Sequence, residues 1–270
     1  VIRPAFGFDA HDFVATVDWY KFRFKKELTV ETAAAVYSTM FPNATAANWQ
    51  CANAALASRF TFASGAGTAV NPVTGTNCHP SNFQGVRTNL INGPGVDTSG
   101  VDVAATYRLH DVFAPSGDLT LGFDGTYLAK YDRGPLLTLD GITIAPGVDR
   151  AGKAELLSAF YSDPRWKGNL YVNYSLGRHN VRATLHYVGA MRDLNHDIDA
   201  APGIQPARIK TWMPIDLVYR VELPWETTLT ATVQNVFDKD PPFAYSTFNY
   251  DYELGSPLGR VLEVNVKKRF

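Results

Sequence analysis

Apolar and polar residues alternate along the last stretch of the chain, Gly259 to Phe270. Successive side chains of an extended strand point to opposite faces, so Leu262, Val264, Val266 and Phe270 share one side and Glu263, Asn265, Lys267 and Arg269 the other. The same period recurs upstream. Val1 to Phe8 reads as the end of a strand before a turn at Asp9 to Asp12, after which Phe13, Ala15, Val17 and Trp19 alternate with Val14, Thr16 and Asp18. Phe22 and Phe24 then interleave with Lys21, Arg23 and Lys25, a change of apolar parity that predicts a bulge near Trp19 and Tyr20. Val101 to Leu109 and Leu119 to Tyr127 alternate on either side of a turn at His110 to Gly117. Trp166, Leu170, Val172, Tyr174 and Leu176 oppose Asn169, Tyr171, Asn173 and Ser175. A hairpin turn at Gly177 to Asn180 leads to Val181, Ala183, Leu185 and Tyr187. Met213 to Leu223 and Leu229 to Val233 follow, joined by Pro224-Trp225-Glu226.

The pattern breaks between Leu28 and Gln84, where two Ala-rich pieces, Val30 to Phe41 and Ala44 to Arg59, predict short helices. A Gly/Thr/Pro-rich span follows. Further loops run from about Asp132 to Pro164, from Asp193 to Ala207 and from Phe237 to Ser256. Short turns and long loops take turns along the chain, as they must when one end of a barrel carries turns and the other carries loops. The pattern predicts an all-β fold, an antiparallel transmembrane β-barrel with long extracellular loops that hold short helices. Lipid meets one row of each strand, Lys267, Lys268 and Arg269 fall near an interface with Phe270 in an aromatic girdle, and Leu262, Val264, Val266 and Phe270 read as a barrel-assembly terminal signal.

Composition adds little against this. The chain has 46% hydrophobic and 19% charged residues and a net charge of -1, with no basic excess to suggest a nucleic-acid partner. Aromatics reach 13%, which suits interfacial belts or a binding surface. No run approaches the ~18 apolar residues of a spanning helix, but a barrel strand crosses with about 9–11. The sequence opens at Val1 without a signal peptide, so it reads as processed or partial. Cys51 and Cys78 lie in the first long loop, taken as residues 27–84. In an export context they read as a disulfide worth roughly 3–4 kcal/mol, and in a reducing compartment as two free thiols.

Asn235-Val236-Phe237-Asp238-Lys239 followed by Pro241-Pro242-Phe243, with Gly259-Arg260 leading to Phe270, resembles the C-terminal end of TonB-dependent outer-membrane receptors. Thr98-Ser99-Gly100-Val101-Asp102 is similar to a strand start of that family, as is Val17-Asp18-Trp19-Tyr20 to another, and a cysteine-bearing insert occurs in some members. The resemblance implies a barrel of about 22 strands with a plugged lumen, of which this chain supplies about eight or nine. It implies the C-terminal part of the barrel, with the plug and the TonB-contacting segment outside the chain. The expected partners are the remainder of the barrel and plug, the TonB complex, outer-membrane lipid and a transported small molecule or oligosaccharide. The implied setting is a Gram-negative outer membrane with the loops outside. A strand that starts outside also points to strands missing upstream, since a lone closed barrel starts and finishes on the periplasmic side.

Asp102, Arg108, Arg182, His186, Asp216, Arg220, Glu222, Glu263 and Lys267 fall on the lumen-facing, polar rows. They read either as contacts for a plug or solute, or as a ladder of salt bridges that holds register. Phe243, Tyr245, Phe248, Tyr250 and Tyr252 in the last loop are candidates to stack on a ring and hydrogen-bond at its edge, or to pack on neighbouring loops. Tyr131 and Trp166 flank a second candidate loop. Asn195-His196-Asp197-Ile198-Asp199 offers fewer oxygen ligands than calcium takes and reads as a solvated acidic loop. His110 and His179 read as solvated turn residues. Gly93-Pro94-Gly95 lacks the helix a phosphate cradle needs, no catalytic motif appears, and no cofactor or metal is expected. The reading is active import of a bulky scarce solute. The alternatives are a small self-contained outer-membrane pore or adhesin, and a soluble β-rich carbohydrate-binding domain.

Overall fold

The period-two segments form strands in the computed structural model, which describes residues 5–10, 12–42, 48–65, 77–137, 141, 143–157, 160–195 and 208–269. Phe270, residues 1–4 of the first segment, His196 to Asp199, and most of the loop from Asp193 to Ala207 lie outside the described residues. In chain order the elements are β1 (Ala5–Ala10), β2 (Phe13–Phe24), β3 (Leu28–Val30), α1 (Ala33–Met40), α2 (Ala54–Ala57), β4 (Phe60–Phe62), β5 (Phe83–Val86), β6 (Leu90–Asn92), β7 (Val96–Leu109) and β8 (Gly117–Arg133). Then come β9 (Leu136–Leu137), β10 (Thr143–Ala145), β11 (Val148–Asp149), β12 (Lys153–Glu155), β13 (Tyr161–Asp163), β14 (Trp166–Leu176), β15 (His179–Val188), β16 (Met191–Asp193), β17 (Arg208–Ile209), β18 (Ile215–Leu223), β19 (Thr227–Gln234) and β20 (Val261–Lys268). No described helix is long and apolar enough to cross a membrane.

The long strands lie side by side in the order β1-β2-β7-β8-β14-β15-β18-β19-β20, each beside the next long strand of the chain. Among the described residues the order is open, with β1 at one edge and β20 at the other. Tight turns set the hairpins: Leu176 pairs with His179, and Gly177 between them takes φ 56°, a conformation that costs glycine nothing. By Cα packing the chain divides into two units, residues Val1–Phe22, Thr98–Tyr131 and Arg150–Phe270, and residues Arg23–Asp97 and Asp132–Asp149.

In the first unit, register converts the alternation of each strand into continuous rows. Leu121, Val172, Ala183, Leu217, Val233 and Leu262 are successive cross-strand partners. Leu119, Tyr174, Val181, Tyr219, Ala231 and Val264 form the next such row on the same face. The opposite face carries Thr120, Asn173, Arg182, Val218, Thr232 and Glu263. A soluble sheet would bury the apolar face, yet Leu262, Val264 and Val266 are 73%, 70% and 65% exposed, and Leu170, Val172 and Leu217 are exposed as well. An apolar band of this extent needs a nonaqueous neighbour. From Trp166 to Leu176 at about 3.3 Å per residue and a tilt of about 40° the band is ~25 Å tall, the height of a barrel's lipid belt.

The polar face of β2 keeps its parity from Thr16 to Tyr20. Thr16, Asp18 and Tyr20 line one cavity, and the Tyr20 ring lies 5.6 Å from that of Phe22. The alternation therefore runs straight through Trp19, and what changes is the residue type on the polar face. Across the sheet Tyr171 lies over its register partner Gly122, where a Cβ would collide with the ring. The guanidinium of Arg182 sits 4.0 Å from the ring centroid on Tyr171, a cation–π contact.

The second unit has its own core of Val36, Met40, Phe41, Leu56, Phe60 and Phe62, with the Cys51–Cys78 disulfide formed and buried within it. Both helices are shorter than the sequence suggests. Val30 joins β3, paired with Leu90, and α1 starts only after Thr32, whose Oγ1 accepts the Ala35 N–H at 3.2 Å. Instead of a helix from Ala44 to Arg59, the described residues form α2 after Asn53, whose Oδ1 accepts the Leu56 N–H at 3.2 Å; residues 43–47 lie outside the described set. Glu31 and Arg59, 1% and 6% exposed, form a buried ion pair through both carboxylate oxygens. Glu31 also accepts the Asn89 N–H at 2.9 Å, and Arg59 donates to the Arg87 carbonyl at 2.9 and 3.0 Å, so four of the five guanidinium N–H groups are bonded.

Candidate functional site

The aromatic loop before β20 is a supported hairpin. Phe243 and Tyr250 form an antiparallel bridge, and the chain reverses at Asn249, with φ 62°. Ser246 Oγ donates to the Tyr250 carbonyl at 2.6 Å and accepts the Phe248 N–H at 3.2 Å. Beneath the tip, Ala244 is buried with Ala154, Leu156, Met191 and Ile209, on the small sheet β13-β12-β16-β17. Buried Asp193 accepts the Tyr245 N–H at 2.7 Å, and Asn195 Nδ2 donates to the Tyr245 carbonyl at 3.0 Å. Asp251 accepts from the Ser162 hydroxyl, and the Tyr252 hydroxyl donates to the Leu156 carbonyl at 3.0 Å. Burial, with Glu253, Glu155 and Asp251 near it, raises the Tyr252 phenol above its ordinary value, so it remains a donor. Phe243 and Phe248 are left 57% and 61% exposed. The Phe243 ring lies 5.1 Å from Tyr245, edge to face, and Phe248 lies 5.7 Å from Tyr252. The result is a rigid tip with open ring faces, able to stack on a planar or saturated ring.

On the polar face of the sheet, side chains join across strands. Asn169 Nδ2 donates to Asp124 Oδ2 at 2.8 Å, His186 Nδ1 lies 2.8 Å from Asn169 Oδ1 and His186 Nε2 lies 3.0 Å from Asp216 Oδ2. Asp216 Oδ1 accepts the Asn235 N–H at 2.8 Å. The chain of bonds spans β8, β14, β15 and β18 and reaches the residue after β19. It mixes amide, imidazole and carboxylate.

The fold is similar to that of two solved structures. The FrpB iron transporter from Neisseria meningitidis aligns with 98% of this chain at a TM-score of 0.54 and 14% identity. The siderophore receptor PirA from Acinetobacter baumannii aligns with 98% at a TM-score of 0.52 and 13% identity. This chain has the fold of part of the barrel of those two proteins. It spans 30% of the length of either of those proteins. No protein-family model matches the sequence, and no curated protein matches it.

Within this sheet the remaining sequence candidates take definite places. Asp102 accepts from the Thr126 hydroxyl at 2.7 Å. Arg220 and Glu222 pair at 3.1 Å and line a cavity with Lys267. Arg108 and Glu263 are exposed, Arg108 giving its backbone N–H to the Asp12 carbonyl at 2.8 Å. Tyr131 stacks under Arg150 at 4.8 Å, while Tyr161 takes the same guanidinium at 4.0 Å and Asp163 bonds its Nε at 2.6 Å. Burial raises the Asp163 carboxyl above its ordinary value, against the lowering effect of Arg150. Trp166 pairs with Tyr127 in register, rings 4.6 Å apart, and by alternation shares the apolar face of Leu170 and Val172. The turn histidines are bonded as well as exposed. His110 lies 2.7 Å from Asp118 and 3.3 Å from Asp12, and His179 lies 2.6 Å from the Tyr219 hydroxyl. Sequence reasoning missed Asp124 and Asn235 as site residues. Strand parity alone marks Asp124 as inward, and no local signal marks Asn235.

Proposed function

We propose that this chain is the C-terminal barrel portion of an outer-membrane receptor that imports a bulky, scarce solute with energy delivered through TonB. The observation that carries the reading is the two-faced sheet, with unbroken apolar rows on one side and a hydrogen-bonded polar surface on the other. Lipid satisfies the first face, and a wet or plugged interior satisfies the second. The open edges at β1 and β20 favour a wall completed by further strands over a small self-contained pore. FrpB is an iron transporter and PirA a siderophore receptor, and import of a scarce solute is the activity brought over from them. In this reading the loops lie outside the cell and the hairpin rings of Phe243, Tyr245 and Phe248 form part of the capturing mouth. Tyr250 and Tyr252 hold the tip, and the inward residues Asp102, Arg182, His186, Asp216, Glu263 and Lys267 face the plug or the solute's route. Replacing Phe243, Tyr245 and Phe248 together by alanine in the whole receptor tests the mouth. Binding and uptake should fall while the receptor still reaches the outer membrane. Unchanged binding and uptake of every solute it takes would remove the hairpin from the mouth.

A further inference from the structure

The small sheet under the aromatic hairpin has two unlike faces. Ala154, Leu156, Met191 and Ile209 are buried with Ala244 of the hairpin. On the other face the register lines up bases: Lys153 of β12 pairs with Arg192 of β16, and Arg192 pairs with Arg208 of β17. Three bases are thus successive cross-strand neighbours, and Arg192 and Arg208 are exposed. Like charges directly opposite one another cost a sheet stability. The row ends on Asp163, opposite Lys153, but Asp163 is bonded to Arg150 Nε at 2.6 Å. Glu155, two residues from Lys153 on the same face, accepts the Leu157 N–H at 3.1 Å. Among the described residues of this face bases therefore outnumber acids, and what fits it is an anion. The guanidinium forks of Arg192 and Arg208 suit the oxygens of a phosphate.

The place of the row decides which phosphate it meets. Leu254 packs against the buried face and lines a cavity with Asp18, Asp102 and Asn169 on the polar side of the wall. The covered face therefore looks over the interior, and the basic face looks away from it. β14 and β15, which lead into this sheet, lie inside the strand order and not at its edges, β1 and β20, so strands that complete the wall do not adjoin the row. The Trp166 carbonyl accepts the Gly189 N–H at 2.8 Å, and Arg192 follows three residues later. At about 3.3 Å per residue and a tilt of about 40° it stands no more than ~8 Å above Trp166. Trp166 and Tyr187, exposed on the apolar face, mark the upper rim of the lipid band. Headgroups extend roughly 5–8 Å beyond the hydrocarbon, which puts the bases at the level of lipid phosphates.

We propose that Lys153, Arg192 and Arg208 bind the phosphorylated headgroup of an outer-leaflet glycolipid, whose acyl chains lie along the apolar rows below. The proposal rests on the receptor reading above and adds a lipid of stated chemistry at its outer wall. To test it, the intact receptor in mild detergent is titrated with bis-phosphorylated lipid A, with the dephosphorylated lipid and with inorganic phosphate, and bound lipid is counted by native mass spectrometry. Lipid A should bind saturably, the dephosphorylated lipid far more weakly, and excess inorganic phosphate should not displace lipid A. Replacing Lys153, Arg192 or Arg208 by glutamine should weaken lipid A about fivefold each and all three ~100-fold. Arg178→Gln, in the exposed turn at the other end of the wall, should bind like the wild type. Heat-modifiable mobility on gels checks that each variant is folded, and if the triple variant fails that check, Arg208→Gln decides alone. The proposal is overturned if lipid A does not bind, if inorganic phosphate displaces it, or if the folded variants bind it as tightly as the wild type. A triple variant that keeps lipid A but loses solute uptake gives the row to the solute, which refutes the glycolipid site and leaves the receptor reading intact. A receptor that fractionates away from the outer membrane refutes both.

Discussion

Leu262→Lys separates a lipid-facing wall from a wetted one by magnitude alone. Leu262 is 73% exposed at the end of the row through Val233, Leu217, Ala183 and Val172, and Val172 lies six residues from Trp166 and four from Leu176 along β14. That row crosses the middle of the apolar band. If water covered it, lysine at so open a position would change stability by no more than about 0.5 kcal/mol. If lipid covers it, lysine near the midplane should cost about 2–4 kcal/mol, a factor of roughly 30 to 900 in the folding equilibrium. The matched control is Thr232→Lys, on the other face and opposite Glu263, where a new cross-strand pair should leave stability within about 1 kcal/mol of the wild type. Urea titrations of refolding into lipid bilayers, read by tryptophan fluorescence, measure both. Equal small costs for the two variants would mean that the exposed rows meet water, and the receptor reading would fall with them.

Breaking the Glu31–Arg59 pair from one side, by Glu31→Gln or Arg59→Met, should destabilise the second unit by about 3–5 kcal/mol because a buried charge is left alone; amide exchange confined to residues 23–97 would report it. Removing the disulfide, whose cysteines are 27 residues apart, should cost about 3.6 kcal/mol by loop-closure entropy, and limited proteolysis with and without reductant checks whether cleavage then concentrates in the same unit. Asp118 and Asp12, as hydrogen-bond acceptors and as charges, hold the His110 imidazolium above its ordinary pKa. A raised folded value means that its contribution is full at low pH and is lost as pH rises through that value. Proton NMR should find the His110 titration moved downward in Asp118→Asn, and an unmoved titration would discard the assignment.

The long strands were legible because alternation survives in the sequence whenever one face meets lipid and the other does not. Leu262 to Lys267 carries the signal in a handful of residues. Of the second unit the sequence showed the cysteines and two short helices, but neither its core nor the helix bounds. Its core draws on Val36, Leu56, Phe60 and Phe62, far apart in sequence, and its helices are started by single capping side chains, Thr32 and Asn53, that outweigh the run of alanines. Of the site, the aromatic hairpin was visible as composition. Its anchoring by Asp193 and Asn195 was not, since those contacts cross about 50 residues. The polar ladder follows from parity once the register is known, and register is what a single sequence withholds.

The ring of Tyr171, seated over Gly122 and capped by Arg182, works as a ratchet pawl between β8 and β14. Slipping the two strands by one place would drive the phenol onto the side chain of Leu121 or Phe123, so the mispaired sheet is penalised at the moment the hairpins zip together. Any side chain at position 122 evicts the ring, and a small residue at 171 leaves the glycine bare. These two sites can therefore drift in evolution only as a couple, and randomising both together should recover functional pairs that neither position tolerates separately.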